Sequence, residues 1–420
     1  MLAGVCAALH VGKLPPAIPV LQAALSISLV QAAFLLSAVQ GAGLLAGVAF
    51  GALADGLTPR RSMLLGLAVL TAASGAGGFA QGVALLMALR VAEGFGFLLV
   101  VLAAPALIRR LVPPQRLDRV IGVWSAYMPL ATALALFVGP WVLAAAGWRA
   151  WWWVLAGLTA AMALWLARAV PAWRALQATP GGAAAGAGGA TGATGAGAAR
   201  PTPPALPLAT RLARTLTAPG PWLLAGMFAV YAGQWLAVIG FLPTIYAQAG
   251  TGLAGAGLMA AAAAAANIAG NVGAGRLLQG GVPPGRLLAT GFVAMALCAG
   301  LAFAALPAAE GGPPQPLLPA ALRFVAVLAF SGIGGLVPAT LFALAVRLAP
   351  GEGTLSTTVG WLQQWSAIGQ FAGPPLVAWA AARAGGWHHT WLATGACSLA
   401  GLALVALLGR RLARAGARAA

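Results

Sequence analysis

Arginine in this chain stands almost entirely at the ends of apolar runs long enough to cross a bilayer, and that placement limits the folds available to it. The runs lie near residues 1–21, 31–54, 62–80, 83–108, 120–146 and 150–170, then near 221–246, 252–278, 286–307, 318–346, 354–381 and 389–409. Hydrophobic residues make up 61% of the 420 and charged ones 7%, a balance that no soluble domain of this length shows. The expected fold class is an all-α membrane protein with twelve transmembrane helices. Residues 175–219 are rich in Gly, Ala and Pro and poor in bulky apolar side chains, so they read as a flexible cytoplasmic linker. It is expected to join an N-terminal six-helix bundle, 1–174, to a C-terminal one, 220–420, which ends in a short basic tail.

With both termini inside, the expected cytoplasmic segments hold 18 of the 23 basic residues, among them Arg109, Arg110, Arg276, Arg286 and Arg347. The opposite side keeps Arg149 and Arg383, while Lys13, Arg90 and Arg323 fall within runs. Positive charge gathers on the cytoplasmic side of membrane proteins, so this asymmetry fixes the expected orientation. The first run lacks the charged start and cleavage site of a signal peptide and is read as helix 1. Because it begins at Met1, a few cytoplasmic residues are expected to precede it in the natural protein.

The formal charge of +18 does not point to nucleic acid, since the arginines punctuate apolar runs instead of forming a basic, aromatic-studded surface. Lys13, the one lysine, is followed by Leu14, so no Walker A sequence exists to bind ATP. Five acidic side chains and three scattered histidines, with no His-Glu-x-x-His or Cys-x-x-Cys spacing, leave little for a catalytic or metal site. No enzyme activity, cofactor or metal is expected, and an ion gradient is the expected driving force. Cys6, Cys298 and Cys397 lie inside apolar runs and read as packing residues. Trp148, Trp151, Trp152 and Trp153 read as an interfacial aromatic belt, and His388 and His389 are assigned no site.

Gly43, Gly47 and Gly51 recur every four residues on one helix face, Asp55 continues the row, and Arg60 and Arg61 follow a break at Gly56 and Pro59. This stretch resembles the loop signature of the major facilitator superfamily, although Gly56 and Thr58 depart from it. The resemblance implies that Gly51, Asp55, Arg60 and Arg61 form a cytoplasmic gate loop, with Asp55 latching the two halves. The halves also repeat each other: a shift of 224 residues lays Gly43, Gly47, Gly51 and Pro59 on Asn267, Asn271, Gly275 and Pro283. A shift of 233 lays Arg90 and Pro105 on Arg323 and Pro338, and Gly139-Pro140 falls on Gly373-Pro374. Two parallel six-helix repeats match the architecture of that superfamily.

Helix 4 carries Arg90-Val-Ala-Glu93-Gly94-Phe-Gly96, similar to the family's Arg-x-x-Gln-Gly-x-Gly pattern with glutamate for glutamine. A charge at the bilayer centre costs ~2.5–3.5 kcal/mol on insertion scales and needs a partner or a wet cavity. Arg90 and Glu93, three apart, are expected to partner each other, with Glu93 carrying a coupling proton and Arg90 binding an anion or tuning Glu93. Lys13, beside Pro15, Pro16 and Pro19, is expected to line a cavity, as residues near helix breaks do. Arg323 sits nearer a membrane face. Uncharged candidates for substrate contact are Tyr127, Tyr231, Gln234, Trp235, Asn267, Asn271, Trp361, Gln363 and Gln364.

Lys13, Arg90 and Arg323 against Glu93 leave two excess positive charges in the spans, which an anion would offset. The leading expectation is a secondary transporter for a small organic anion, proton-coupled as a symporter and working by alternating access. The expected partners are that substrate, protons or another coupling ion, and the lipid bilayer, with the chain acting as a monomer. The alternative is a drug or metabolite exporter. Its Gly-Pro-x-x-Gly-Gly signature is incomplete here, because Leu143 and Ala144 replace the closing glycines after Gly139-Pro140. A non-transporting receptor is a further alternative. Arginine in place of nearly all lysine, with abundant Ala and Gly, suggests a high-GC bacterial genome and therefore an inner-membrane location.

Overall fold

The computed structural model describes residues 1–44, 58–113, 124, 126–170, 207–306, 314–351 and 354–419. Gly51 and Asp55 of the gate loop lie outside them, as does the linker up to residue 206.

Helices α1 (Leu2–Gly12) and α2 (Leu14–Leu25) meet at Lys13, whose backbone stays helical at φ −68° and ψ −26°. The chain tolerates Pro15 and Pro16 because they fall in the first turn of α2, where an N–H would have no partner in any case. Ser26 ends α2 in the left-handed region, and Ser28 starts α3 (Leu29–Ala38) with a capping box. There Gln31 N donates to Ser28 Oγ, and Ser28 N donates to Gln31 Oε1. Thr58 caps α4 (Pro59–Gly77), which α5 (Val83–Leu111) follows.

The expected fifth and sixth spans are the two helical arms of α6 (Tyr127–Ala169), which are separated by a kink at Gly147 with φ 77° and ψ 176°. A side chain is strained at that φ, so glycine makes the turn without a loop. The turn also corrects the expected aromatic belt. Trp148, Trp151 and Trp152 point into the bundle and are buried, and only Trp153 is exposed.

Beyond the linker come α7 (Leu208–Thr217), α8 (Pro219–Gln248), α9 (Leu253–Gln279) and α10 (Pro284–Phe303). The expected linker therefore ends in a helix: α7 places its apolar residues on one face and packs against α8 and a later helix, α13. A two-residue hairpin, β1 (Ala305–Leu306) with β2 (Gln315–Pro316), leads to α11 (Ala320–Gly334) and α12 (Leu336–Leu348). The chain closes with α13 (Leu355–Ala384) and α14 (Thr390–Ala419).

Among the described residues helices lie along the expected runs, and eight of them are long and apolar enough to cross a membrane. They are not equally interior. The share buried inside the protein is 89% for α1–α2 and 78% for α8, against 22% for the span that ends in α14. The first helix of each half is thus central and the last faces lipid, as exposed Leu399 and Leu407 on α14 confirm.

The pseudo-repeat is visible in the packing. Gly139 on α6 lies against Pro16 of α2, and its counterpart Gly373 on α13 lies against the backbone of Gly233 on α8. Between the halves, α3 packs on α13, α6 on α9 and α2 on α8. These contacts gather at mid-depth and toward the end of the bundle away from the N-terminus, here termed the far end. There Gly240 meets Leu36 and Gly257 meets Pro140.

Candidate functional site

Two glycines of the helix 4 motif bring α5 close to its neighbours. Gly94 faces the carbonyl of Val39, and a Cβ on Gly96 would lie 2.7 Å from the carbonyl oxygen of Gly66 on α4. Side chains at either place would push α5 outward. Held this close, Arg90 reaches α1 and α3, and Glu93 reaches Lys13 at the junction of α1 and α2.

Lys13, Arg90 and Glu93 are each 0% exposed. Both carboxylate oxygens of Glu93 are paired: Lys13 Nζ donates to Oε1 and Arg90 Nη1 to Oε2. Lys13 Nζ also donates to Ser74 Oγ at 3.0 Å and lies 4.5 Å from the centroid of the Trp152 ring. Ser74 in turn donates to the Trp152 carbonyl at 2.9 Å, and the Trp151 indole donates to the Lys13 carbonyl at 3.0 Å. Arg90 donates to the carbonyls of His10 at 2.6 Å and Leu35 at 3.4 Å, while its Nη2 has no partner among the described residues. Buried charge is tolerated only where it is paired and hydrogen-bonded, and here two cations share one carboxylate. The cluster holds one excess positive charge.

The expected Arg90–Glu93 pair is present. Lys13 departs from expectation: it joins that pair inside the first half and does not line an open cavity, because α1 continues into α2 and carries it inward. Sequence inspection missed four contributors, Ser74, Trp152, Thr159 and His10. His10 had a signal, since it precedes Lys13 by three residues and so shares its helix face, as Arg90 does with Glu93.

The remaining candidates are elsewhere. In the second half, Asn267 donates to Tyr231 Oη at 3.0 Å and to the Ser331 carbonyl at 2.8 Å, and Asn271 Nδ2 donates to Asn267 Oδ1 at 2.8 Å. Trp235 donates to Ser331 Oγ at 3.0 Å. Gln234 faces α14, accepting from Ser398 at 3.0 Å beside a cavity of about 130 Å³ shared with α13, not the interface of the halves. Gln364 donates to the Leu44 carbonyl at 3.1 Å, across that interface. Trp361 packs edge-on against Trp222 at 4.8 Å, and Tyr127 stacks on Trp124 at 4.7 Å. Arg323 is half-buried and donates to the carbonyl of Ala302 at 2.8 Å, so it does not join the charged cluster. Arg60 donates to the carbonyls of Val170 and Ala167 at the end of α6, and the Arg61 backbone N–H donates to Thr58 Oγ1.

Long apolar helices around a buried ion cluster define a multi-pass membrane protein. The chain belongs to the Major Facilitator Superfamily, whose family model matches residues 1–311. That family is one of membrane transporters and is not enzymatic. Among curated proteins it is similar to the tetracenomycin C resistance and export protein of Streptomyces glaucescens, with 32% identity over 100 residues. That match takes in 24% of this chain and about a fifth, 19%, of the length of that relative.

Proposed function

We propose that this transporter is a proton-coupled secondary carrier of a small organic anion, with the Lys13–Glu93–Arg90 cluster as its coupling centre. The observation that carries this reading is the sealed cluster itself, in which one carboxylate answers two cations and Arg90 Nη2 stays unpartnered. Such an arrangement binds or releases a proton only when its partners move, which is what coupling requires. The excess positive charge favours an anionic substrate when the interface between the halves opens. Tyr231, Asn267, Asn271, Gln364 and Trp361 supply uncharged contacts on the second half. Twelve spans, both termini in the cytoplasm of a bacterial inner membrane, and a gate loop at Gly51, Asp55, Arg60 and Arg61 complete the proposal, supported by the arginine asymmetry.

A second reading is export by proton antiport, favoured by the similarity to an export protein. A thermal-shift screen of the purified protein separates the two. Its ligands are small carboxylates, inorganic anions, lipophilic cations and tetracenomycin C. A ligand at ~100 times its dissociation constant adds ~2.7 kcal/mol. Stabilisation by a carboxylate that Arg90→Ala removes supports the anion. Stabilisation only by lipophilic cations or tetracenomycin C supports export. With the ligand so found, proteoliposomes carrying Glu93→Gln are expected to lose accumulation driven by a pH gradient while keeping exchange. Unaltered accumulation removes Glu93 from coupling.

A further inference from the structure

His10 lies one turn ahead of Lys13, is 0% exposed, and has two ring nitrogens in different situations. Nε2 is 2.8 Å from Thr159 Oγ1, and the Thr159 hydroxyl lies 2.8 Å from the carbonyl of Leu155, to which it donates. A hydroxyl has one hydrogen, so with that hydrogen on Leu155 the oxygen accepts from His10, and Nε2 carries the imidazole proton. Nδ1 is then a bare lone pair. Among the described residues it has no hydrogen-bond partner, and it stands 3.8 Å from Glu93 Oε1. Two acceptors face each other inside a membrane protein, an unfavourable arrangement that a single proton between them would convert into an ion pair.

Oε1 is also the oxygen that Lys13 Nζ donates to. One carboxylate oxygen therefore lies between a protonated amine and an unprotonated imidazole nitrogen.

From this geometry we infer that His10 is the second proton site of the cluster, exchanging a proton with Lys13 through Glu93 Oε1. The transfer balances. Lys13 Nζ gives a proton to Oε1, the same oxygen gives one to His10 Nδ1, and Glu93 is a carboxylate before and after. Lys13 ends as a neutral amine held by Ser74, His10 ends as an imidazolium, and the cluster's total charge is unchanged. The donor and acceptor are three residues apart on one helical path, and both side chains reach the same carboxylate oxygen. Arg90 takes no part, because a guanidinium keeps its proton. Its bond to the His10 carbonyl fixes α1 against α5.

The groups facing His10 can be named for each packed helix. From α5 they are Glu93 and Arg90, from α6 the Thr159 hydroxyl, and from the α1–α2 junction Lys13. From α4 the nearest polar group in the network is Ser74, which does not titrate in this range.

This inference deepens the coupling role proposed for Glu93, but its test reads protons and not transport. The chain has three histidines, so His388→Asn with His389→Asn leaves His10 as the one imidazole. Nitrogen-15 spectra of that full-length protein in nanodiscs report its tautomer and charge directly. The neutral form is expected to carry its proton on Nε2. Lys13→Met, which imitates the spent amine, is expected to raise the ratio of charged to neutral His10 at a given pH about tenfold. Glu93→Gln is expected to lower that ratio by a similar factor.

A proton on Nδ1 in the neutral form would overturn the assignment of the bare lone pair. A His10 that stays neutral between about pH 5 and 9 in both the native protein and Lys13→Met would overturn the relay. If Lys13→Met shifts His10 but Glu93→Gln leaves gradient-driven accumulation intact, the shared proton stands and the coupling role of Glu93 falls. Lys13→Met keeps the Arg90–Glu93 pair, so the test does not depend on folding with both ion pairs lost.

Discussion

The two halves bury polar side chains in opposite ways. The first encloses two cations and a carboxylate, Lys13, Arg90 and Glu93, among its own helices. The second encloses amides and hydroxyls, Asn267, Tyr231 and Ser331, joined by neutral hydrogen bonds. Arg90 and Arg323 occupy matching places in the repeat, yet Arg90 is fully buried and Arg323 reaches a carbonyl at the end of α10. The counterpart of Glu93, 233 residues on, is Ala326. With no carboxylate to answer it, an arginine there has to find its partners at the edge of the membrane. One acidic residue thus decides whether a half holds charge or excludes it.

Stability should expose this contrast most strongly. Removing one partner of a buried ion pair leaves an uncompensated charge, so Glu93→Ala is expected to destabilise the protein by ~3–5 kcal/mol. Asn267→Ala removes only neutral hydrogen bonds, which average ~0.6 kcal/mol inside membrane proteins and reach ~1.7. Reversible unfolding in mixed micelles measures both. Losses of equal size would break the comparison and would mean that water or lipid headgroups reach the cation cluster.

Glycines in the corresponding helix pairs, α13 with α8 and α6 with α2, offer a smaller effect. On Gly369 an added Cβ would run into the backbone carbonyl of Ala229, which α8 cannot withdraw without parting from α13. On Gly139 it would meet Pro16 Cγ at 2.8 Å, the edge of a ring that can pucker away. Overpacking typically costs ~1–3 kcal/mol, so Gly369→Ala is expected in the upper part of that range and Gly139→Ala at or below its lower limit. Thermal unfolding of the two variants side by side checks the order. A reversed order would show that α6 and α2 are the more tightly fixed pair.

Much of this was legible before the structure. The expected spans were legible as apolar runs, because a segment in lipid must satisfy its own backbone and a helix is the simple way to do so, whereas α7 lies outside them. The Arg90–Glu93 pair was legible too, since i,i+3 spacing and the expense of membrane charge leave few other partners. Lys13 was recognised as special but misplaced, because prolines in a first turn of helix look in sequence like a break. Trp151 and Trp152 were misplaced for a related reason: sequence showed a tryptophan cluster near a span end, but the turn at Gly147 that aims them inward depends on a backbone angle. Ser74 and Thr159 come from two other helices, and no local pattern announces their meeting with His10, whose one signal was its spacing from Lys13. Nor did any pattern separate the amides that cross the interface, Gln40 and Gln364, from Gln234, which faces α14.

The smallest expected effect lies where the halves touch. Gln40 Nε2 donates to Gln370 Oε1 at 3.0 Å, and Gln370 Nε2 donates back to Ser366 Oγ at 3.1 Å on its own helix. This neutral bond links α13 to the segment just after α3. Neutral hydrogen bonds in this setting are worth ~0.6 kcal/mol, so Gln370→Ala is expected to shift the balance between far-end-closed and far-end-open forms only about threefold. Spin labels at Gln81 and Thr251, in the far-end connections of the two halves, would report that balance as a distance distribution. A bond that exists only in the closed form must, when deleted, add population at long distance, since an interaction shifts an equilibrium by its difference between the two states and by nothing else. If the distribution does not change, the Gln40–Gln370 bond persists in both forms or is replaced by water. The closed state would then rest on the apolar contacts of Leu36 with Gly240 and of Gly257 with Pro140.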